Sequence, residues 1–151
     1  MELHEPKNLY ELLTLNMEQR FANRVAFRWY DADQDVVVEK HFGEYAQDIR
    51  RAVNYYLSTI PDIQGKRVCV WSNNSYHYAV NCYGVMMAGG VIVPMNQRKS
   101  WDELYRELEL VEPSAILTTA MTTAATRRCR RLTAACCAPW MPTRLTSLQS
   151  L

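Results

Sequence analysis

The alternation of short apolar runs with longer segments over residues 67–118 is the strongest structural signal in the chain. Residues 67–71, 91–93 and 115–117 are predicted to be strands, because each is a short run of mostly apolar residues. The segments between them, 75–89 and 100–112, are predicted to be helices. A β-α-β-α-β order favours parallel strands joined by right-handed crossovers.

The centre of this pattern is a glycine turn followed by an apolar strand. Gly89 and Gly90 follow an apolar helix, so they are predicted to form its left-handed cap and a tight turn. Residues 91–93 are all β-branched and apolar, which is typical of a strand covered on both faces. Pro94 cannot donate a backbone hydrogen bond and is predicted to end the strand.

Three elements are predicted before this region. Asn8 is expected to cap a first helix, and residues 25–30 and 36–41 are expected to pair as a hairpin across a polar turn. Residues 43–58 form an amphipathic helix, whose apolar face holds Tyr45, Ile49, Ala52, Val53 and either Tyr56 or Leu57. The predicted fold class is therefore α/β, an incomplete, open and mainly parallel sheet flanked by helices and preceded by a helix and a β-hairpin.

Charge divides the chain at residue 118. Residues 1–118 hold 12 Lys and Arg and 16 Asp and Glu, a net charge of −4, whereas residues 119–151 hold five Arg and no acid, a net charge of +5. We therefore predict two regions, a folded subdomain at 1–118 and an irregular basic segment, rich in Thr, Ala, Arg and Cys, at 119–151.

Three interpretations of residues 119–151 compete: a basic arm for nucleic acid, a disordered linker, and a segment translated out of frame. The last is favoured, because the segment lacks both periodicities that the rest of the chain obeys. Nucleic acid is not expected to be a partner, since basic arms usually carry denser Lys and Arg.

Cysteine content and hydropathy favour a cytoplasmic protein. The five cysteines form no C-x-x-C pair, and Cys69 and Cys82 lie within apolar segments, where cysteine behaves as a small hydrophobic residue. The N-terminus lacks an apolar secretory core. The most apolar window, residues 76–95, is broken by polar residues and glycines, so no transmembrane segment is expected.

The residues supply little recognisable catalytic chemistry. The turn at 72–75 contains no glycine, so it differs from the phosphate-binding G-x-G-x-x-G turn. Arg98 and Lys99 follow a parallel strand and precede a helix, where they could meet an anion, although a solvated basic loop is the favoured interpretation. His4, His41 and His77 have no partners at metal-ligand spacing. We therefore assign no catalytic, cofactor-binding or metal residue.

Five segments, in order, resemble the start of the adenylate-forming enzymes, the family of AMP-forming acyl-CoA synthetases and ligases. Residues 41–45, His-Phe-Gly-Glu-Tyr, resemble its T-[YF]-x-E-L motif through Phe42 and Glu44. The other resemblances are Gly65–Val70 to G-D-R-V-A-[IL], Asn74–Ser75 to N-S-x-[ED]-[YF], Met87–Asn96 to A-G-A-x-x-[VL]-P-[LI]-[ND], and Glu103–Thr118 to the following helix and strand.

This resemblance implies an ATP-dependent enzyme that converts a small carboxylic acid to an acyl-AMP and then to a thioester. The full-length family uses ATP, Mg²⁺ and CoA, but its catalytic motifs lie beyond the matched stretch. The main hypothesis is therefore an N-terminal fragment that is inactive by itself. The alternative is a non-catalytic α/β binding or regulatory module with a basic tail. An uncovered sheet edge also predicts self-association. The sequence leaves the identity of the acid open.

Overall fold

The computed structural model describes residues 5–118, with the backbone alone at residue 101. Residues 119–151, the predicted basic segment, therefore lie outside the described residues, and so does His4. The chain divides into two compact units, with the division directly after Arg51.

The first unit begins with a helix that changes its hydrogen-bonding pattern. Asn8 caps α1 (Leu9–Glu11) as predicted, because its side chain accepts a hydrogen bond from the Glu11 backbone N–H at 2.9 Å. From there the chain continues as a π-helix (Leu12–Arg20), a wider form than the α-helix that the spacing predicted. Leu13 and Met17 are its buried residues.

The predicted hairpin is confirmed. Strands β1 (Val25–Asp31) and β2 (Val36–His41) pair antiparallel, and Tyr30 lies opposite Val37. Helix α2 (Phe42–Thr59) follows directly. The Phe27 ring packs edge-on against Tyr45 with 4.9 Å between ring centroids, so the hairpin is fixed to the first turn of the helix.

The second unit holds the predicted parallel sheet, which confirms the fold class. Its strands lie in the order β4 (Val91–Pro94), β3 (Arg67–Trp71), β5 (Ala115–Thr118), so β3 is central and parallel to both neighbours. Helix α3 (Tyr76–Met87) connects β3 to β4, and α4 (Trp101–Val111) connects β4 to β5. Ser100 and Glu103 form a reciprocal capping box at the start of α4.

Apolar side chains fill the space between the sheet and its helices. On one side, Leu104 and Leu108 of α4 pack with Cys69, Met95 and Ile116. The cysteine prediction is confirmed, because Cys69 and Cys82 are both buried. No helix among the described residues is both long and apolar enough to cross a membrane.

The apolar face of α2 is confirmed, and its last member is Tyr56. That side chain is fully buried in the second unit, whereas Leu57 is 57% exposed. The Tyr56 hydroxyl donates to Asn81 Oδ1, and Asn81 Nδ2 donates to the His77 carbonyl at 2.6 Å. Asn81, a polar residue in the mostly apolar α3, is therefore buried and joins two helices.

The prediction that residues 91–93 are covered on both faces is wrong. Val91 is 49% exposed, and Ile92 and Val93 are half-buried. The reason is position in the sheet, because among the described strands β4 pairs with β3 alone and lies at an edge. Continuous apolar runs identify strands of parallel sheets, but they do not distinguish central strands from edge strands.

Candidate functional site

The carboxyl ends of the three parallel strands meet at one edge of the sheet, which is where ligands bind in open α/β folds. Two loops lie there, residues 72–75 after β3 and residues 95–100 after β4. Thr118 ends the third strand at the same edge.

The first loop is organised as a helix start. The Ser75 side chain accepts the Tyr78 backbone N–H at 3.1 Å and so caps α3. Ser72 is buried, and its hydroxyl donates to the Asn73 carbonyl at 3.3 Å. The loop contains no glycine, so each of its residues carries a Cβ atom that limits how closely a pyrophosphate can approach the backbone.

The second loop contains both cations that the sequence singled out. Lys99 Nζ forms an ion pair with the Glu107 carboxylate, which fastens the loop to α4. Arg98 is exposed, and its backbone N–H donates to Asn96 Oδ1 at 2.9 Å in an Asx turn. Arg98 and Lys99 therefore both lie at the predicted edge, but the charge of Lys99 is already paired with Glu107.

The N-terminus of α4 already holds a carboxylate. Glu103 Oε2 accepts hydrogen bonds from the Ser100 backbone N–H at 2.9 Å and from the Ser100 hydroxyl at 2.8 Å. These two bonds hold the pKa of Glu103 below its ordinary value, and the bond from the Ser100 hydroxyl has the larger effect. A negative charge at this helix end opposes the binding of a second anion there.

The first unit contains a separate polar groove of about 460 Å³. Its lining comes from the end of the π-helix, the following turn, the end of β2 and the start of α2: Glu18, Ala22, Asn23, His41, Gly43, Glu44 and Gln47. No sequence signal predicted this groove, because its residues come from two segments, 18–23 and 41–47, that are separated in the chain.

Both carboxylates of the groove are bound to basic partners. Glu18 accepts two hydrogen bonds from the Arg50 guanidinium, at 2.5 and 2.8 Å, and this contact lowers the pKa of Glu18. Glu44 accepts the His41 backbone N–H at 2.9 Å, lies 3.3 Å from Lys40 Nζ, and also has a lowered pKa.

The described histidines contact side chains close to them in the chain. His41 Nδ1 lies 3.3 Å from Glu44 Oε2. His77 packs edge-on against Tyr76 with 5.4 Å between ring centroids. Among residues 5–118, no cluster of three or more His, Cys, Asp or Glu side chains is arranged to hold a metal ion.

The sequence of residues 19–145 matches the family described as AMP-binding enzyme. The match extends beyond the region boundary predicted at residue 118, and that boundary remains a prediction. One curated relative, a 3-[(3aS,4S,7aS)-7a-methyl-1,5-dioxo-octahydro-1H-inden-4-yl]propanoyl:CoA ligase of Rhodococcus jostii, is 38% identical over 53 residues. That alignment covers 35% of this chain and 10% of the ligase.

Solved structures show the same fold at low sequence identity. The N-terminal domain of FACL13 from Mycobacterium tuberculosis superposes with a TM-score of 0.66 at 19% identity, covering 82% of this chain and 30% of that one. The Klebsiella oxytoca NpsA N-terminal subdomain, solved with 3-hydroxybenzoyl-AMSN, gives 0.60 at 20% identity over 73% and 26% of the two chains. The Mycobacterium tuberculosis fatty acyl CoA synthetase gives 0.64 at 20% identity over 82% and 23%. The chain thus spans less than a third of each.

Proposed function

Because the chain belongs to the AMP-binding enzyme family, we propose that it corresponds to the opening part of an AMP-forming acyl-CoA synthetase. The class is supported by the CoA ligase and fatty acyl CoA synthetase among the similar proteins. Its reaction would join a small carboxylic acid to AMP at the expense of ATP, and then transfer the acyl group to a thiol. ATP, Mg²⁺ and CoA are the cofactors of that proposed whole enzyme, and its location is proposed to be cytoplasmic.

We also propose that residues 5–118 do not perform this reaction by themselves. Phosphoryl and adenylyl transfer depend on positive groups and backbone N–H donors directed at the phosphates. The loops at the carboxyl ends of the strands do not fit that requirement. The loop after β3 lacks glycine, Lys99 is paired with Glu107, and Glu103 occupies the N-terminus of α4. The occupied helix end is the observation on which this proposal depends most.

The test is carboxylate-dependent release of pyrophosphate from Mg-ATP by the purified chain, with a panel of aliphatic and aromatic acids. The expected result is a rate equal to that without protein. A complete adenylate-forming enzyme, such as the Mycobacterium tuberculosis fatty acyl CoA synthetase, is the positive control for the assay. Acid-dependent turnover that survives repeated purification would refute the proposed inactivity.

The alternative function, a non-catalytic α/β binding or regulatory module with a basic tail, is favoured by one observation, the polar groove of the first unit. With its carboxylates already paired, the groove offers the amides of Asn23 and Gln47 for a small hydrogen-bonding ligand. The module predicts saturable shifts of these two side-chain amide resonances when polar metabolite mixtures are added. The enzyme proposal predicts no such shifts.

A further inference from the structure

The polar groove of the first unit is built beside an unusual helix end. Its lining includes Glu18, close to the end of the π-helix, and Asn23, in the turn that follows. The helix closes with the Phe21 backbone N–H donating to the Asn16 carbonyl at 2.8 Å, a bond that spans five positions. π-Helical turns are rare and frequently lie at functional sites, so this groove is a stronger candidate for a ligand site than an ordinary surface depression.

Glu44 fixes the protonation pattern of the His41 ring, which lines the same groove. Glu44 Oε2 lies 3.3 Å from His41 Nδ1 and also accepts the His41 backbone N–H at 2.9 Å. A carboxylate oxygen accepts hydrogen bonds but cannot donate them, so this contact assigns the proton of the neutral ring to Nδ1. Nε2 then carries a lone pair. The groove therefore contains an oriented imidazole nitrogen that can accept a hydrogen bond from a ligand.

The other polar side chains of the groove supply further acceptors and a smaller number of donors. Arg50 donates one hydrogen bond to each Glu18 oxygen, at 2.5 and 2.8 Å, and each oxygen keeps a second lone pair. Asn23 and Gln47 are exposed, and their side-chain amides form no hydrogen bond to the part of the chain that the structure describes. Each amide offers an NH₂ donor and a carbonyl acceptor. The lining therefore holds more acceptors than donors.

The charges of the groove are balanced by ion pairs within the first unit. Glu18 pairs with Arg50, and Glu44 lies 3.3 Å from Lys40 Nζ. A neutral ligand is favoured, because it can bind without separating either pair. The volume of about 460 Å³ lies within the range of small-molecule sites, about 300–1,000 Å³.

We propose that this groove binds a small, neutral, polyhydroxylated molecule, a sugar or a cyclic polyol. A hydroxyl group both donates and accepts, so neighbouring hydroxyls can donate to His41 Nε2 and to the Glu18 oxygens while they accept from the Asn23 and Gln47 amides. An alkylammonium ion donates but cannot accept from the amides, and a phosphate ion would face two carboxylates. An apolar molecule would leave the polar lining without partners.

This inference rests on the alternative function, the binding module, and gives the ligand of that module a chemical class. The pyrophosphate assay contains no polyol, so its outcome for the enzyme proposal is independent. Saturable shifts with a polar metabolite mixture but with no polyol would refute the ligand class while leaving the module in place.

The test is a titration of the full-length chain with D-glucose, D-galactose, D-ribose and myo-inositol at millimolar concentration, followed by NMR. With at least one of them, the Asn23 and Gln47 side-chain amide resonances are expected to shift saturably with one common dissociation constant. The His41 ring protons are expected to give nuclear Overhauser contacts to that ligand. Putrescine and inorganic phosphate are the competing probes. No saturable shift with any polyol, or saturable shifts with putrescine or phosphate alone, would overturn the proposal.

Variants of the groove residues complete the test. The Asn23→Ala/Gln47→Ala double variant is expected to bind the polyol at least about tenfold more weakly, because it loses two hydrogen-bonding groups. The matched control is Asn54→Ala, which removes an exposed amide of α2 that does not line the groove and should leave the affinity unchanged. Full affinity in the double variant would contradict the proposal. If the double variant fails to fold, the His41 contacts to the ligand in the natural chain decide the question.

Discussion

The close contact between Gly84 of α3 and Ala52 of α2 leaves no room for an added methyl group. A Cβ atom placed on Gly84 would lie 2.6 Å from Ala52 Cβ and 3.3 Å from Tyr56 Cε2. Carbon atoms pack favourably at about 3.5–4.0 Å, so the helices would have to separate by about 1 Å. The prediction is therefore that Gly84→Ala destabilises the protein.

The magnitude follows from two opposing effects. Replacing glycine by alanine within a helix gains about 0.5–1 kcal/mol from backbone entropy. Overpacking a tight contact costs about 1–3 kcal/mol. The net result expected for Gly84→Ala is a loss of about 0.5–2 kcal/mol in the free energy of unfolding, measured by urea denaturation with circular dichroism and tryptophan fluorescence.

The same substitution elsewhere and a compensating substitution give the controls. At Gly43 an added Cβ would meet the Ala22 carbonyl oxygen at 3.3 Å, so Gly43→Ala is expected to be close to neutral. Ala52→Gly removes the clashing atom, so the Ala52→Gly/Gly84→Ala double variant is expected to be about 1–2 kcal/mol more stable than the sum of the single effects. A stabilising Gly84→Ala with no coupling to position 52 would refute the packing argument.

Three further predictions concern the buried polar pair, the groove and a turn. Tyr56→Phe leaves the buried Asn81 Oδ1 without its donor and should lower the free energy of unfolding, measured by urea denaturation, by about 1–3 kcal/mol. Because burial raises the pKa of Tyr56, the stability of the wild type should fall above about pH 10, and the stability of the variant should fall less. Because Arg50 lowers the pKa of Glu18, their contact stabilises the fold above the unfolded carboxyl pKa, and this stabilisation is lost as the pH falls. Arg50→Met should remove this pH dependence and lower the free energy of unfolding by under about 1 kcal/mol; an unchanged dependence of stability on acidic pH would contradict the prediction. Gly89 has φ of +90°, so Gly89→Ala should lower the midpoint of thermal unfolding, and an unchanged midpoint would contradict the strained turn.

The elements that could be predicted are those whose signals are local. The capping box of Ser100 and Glu103 depends on residues three apart, and the glycine turn at Gly89 depends on its immediate neighbours. Strand and helix periodicity in residues 67–118 was sufficient to give the parallel topology, because a β-α-β-α-β order leaves few alternatives.

The features that escaped prediction depend on contacts between distant residues. Glu18 and Arg50 are 32 positions apart, and nothing in either segment indicates their pairing. Asn81 is a polar residue in an apolar helix, and its hydrogen-bond partner, the hydroxyl of Tyr56, lies 25 positions away in the chain. The sequence around Asn81 therefore does not indicate that it is buried. The exposure of Val91 depends on the order of strands in the sheet, which a run of apolar residues does not encode.

The central claim is that the two loops at the carboxyl ends of the described strands, residues 72–75 and 95–100, do not form a triphosphate-binding site. It is tested most directly by titrating the full-length chain with Mg-ATP while following the backbone amide resonances of residues 72–75 and 96–103. The account predicts no saturable shift of these resonances at millimolar nucleotide. Saturable shifts confined to the two loops would contradict it.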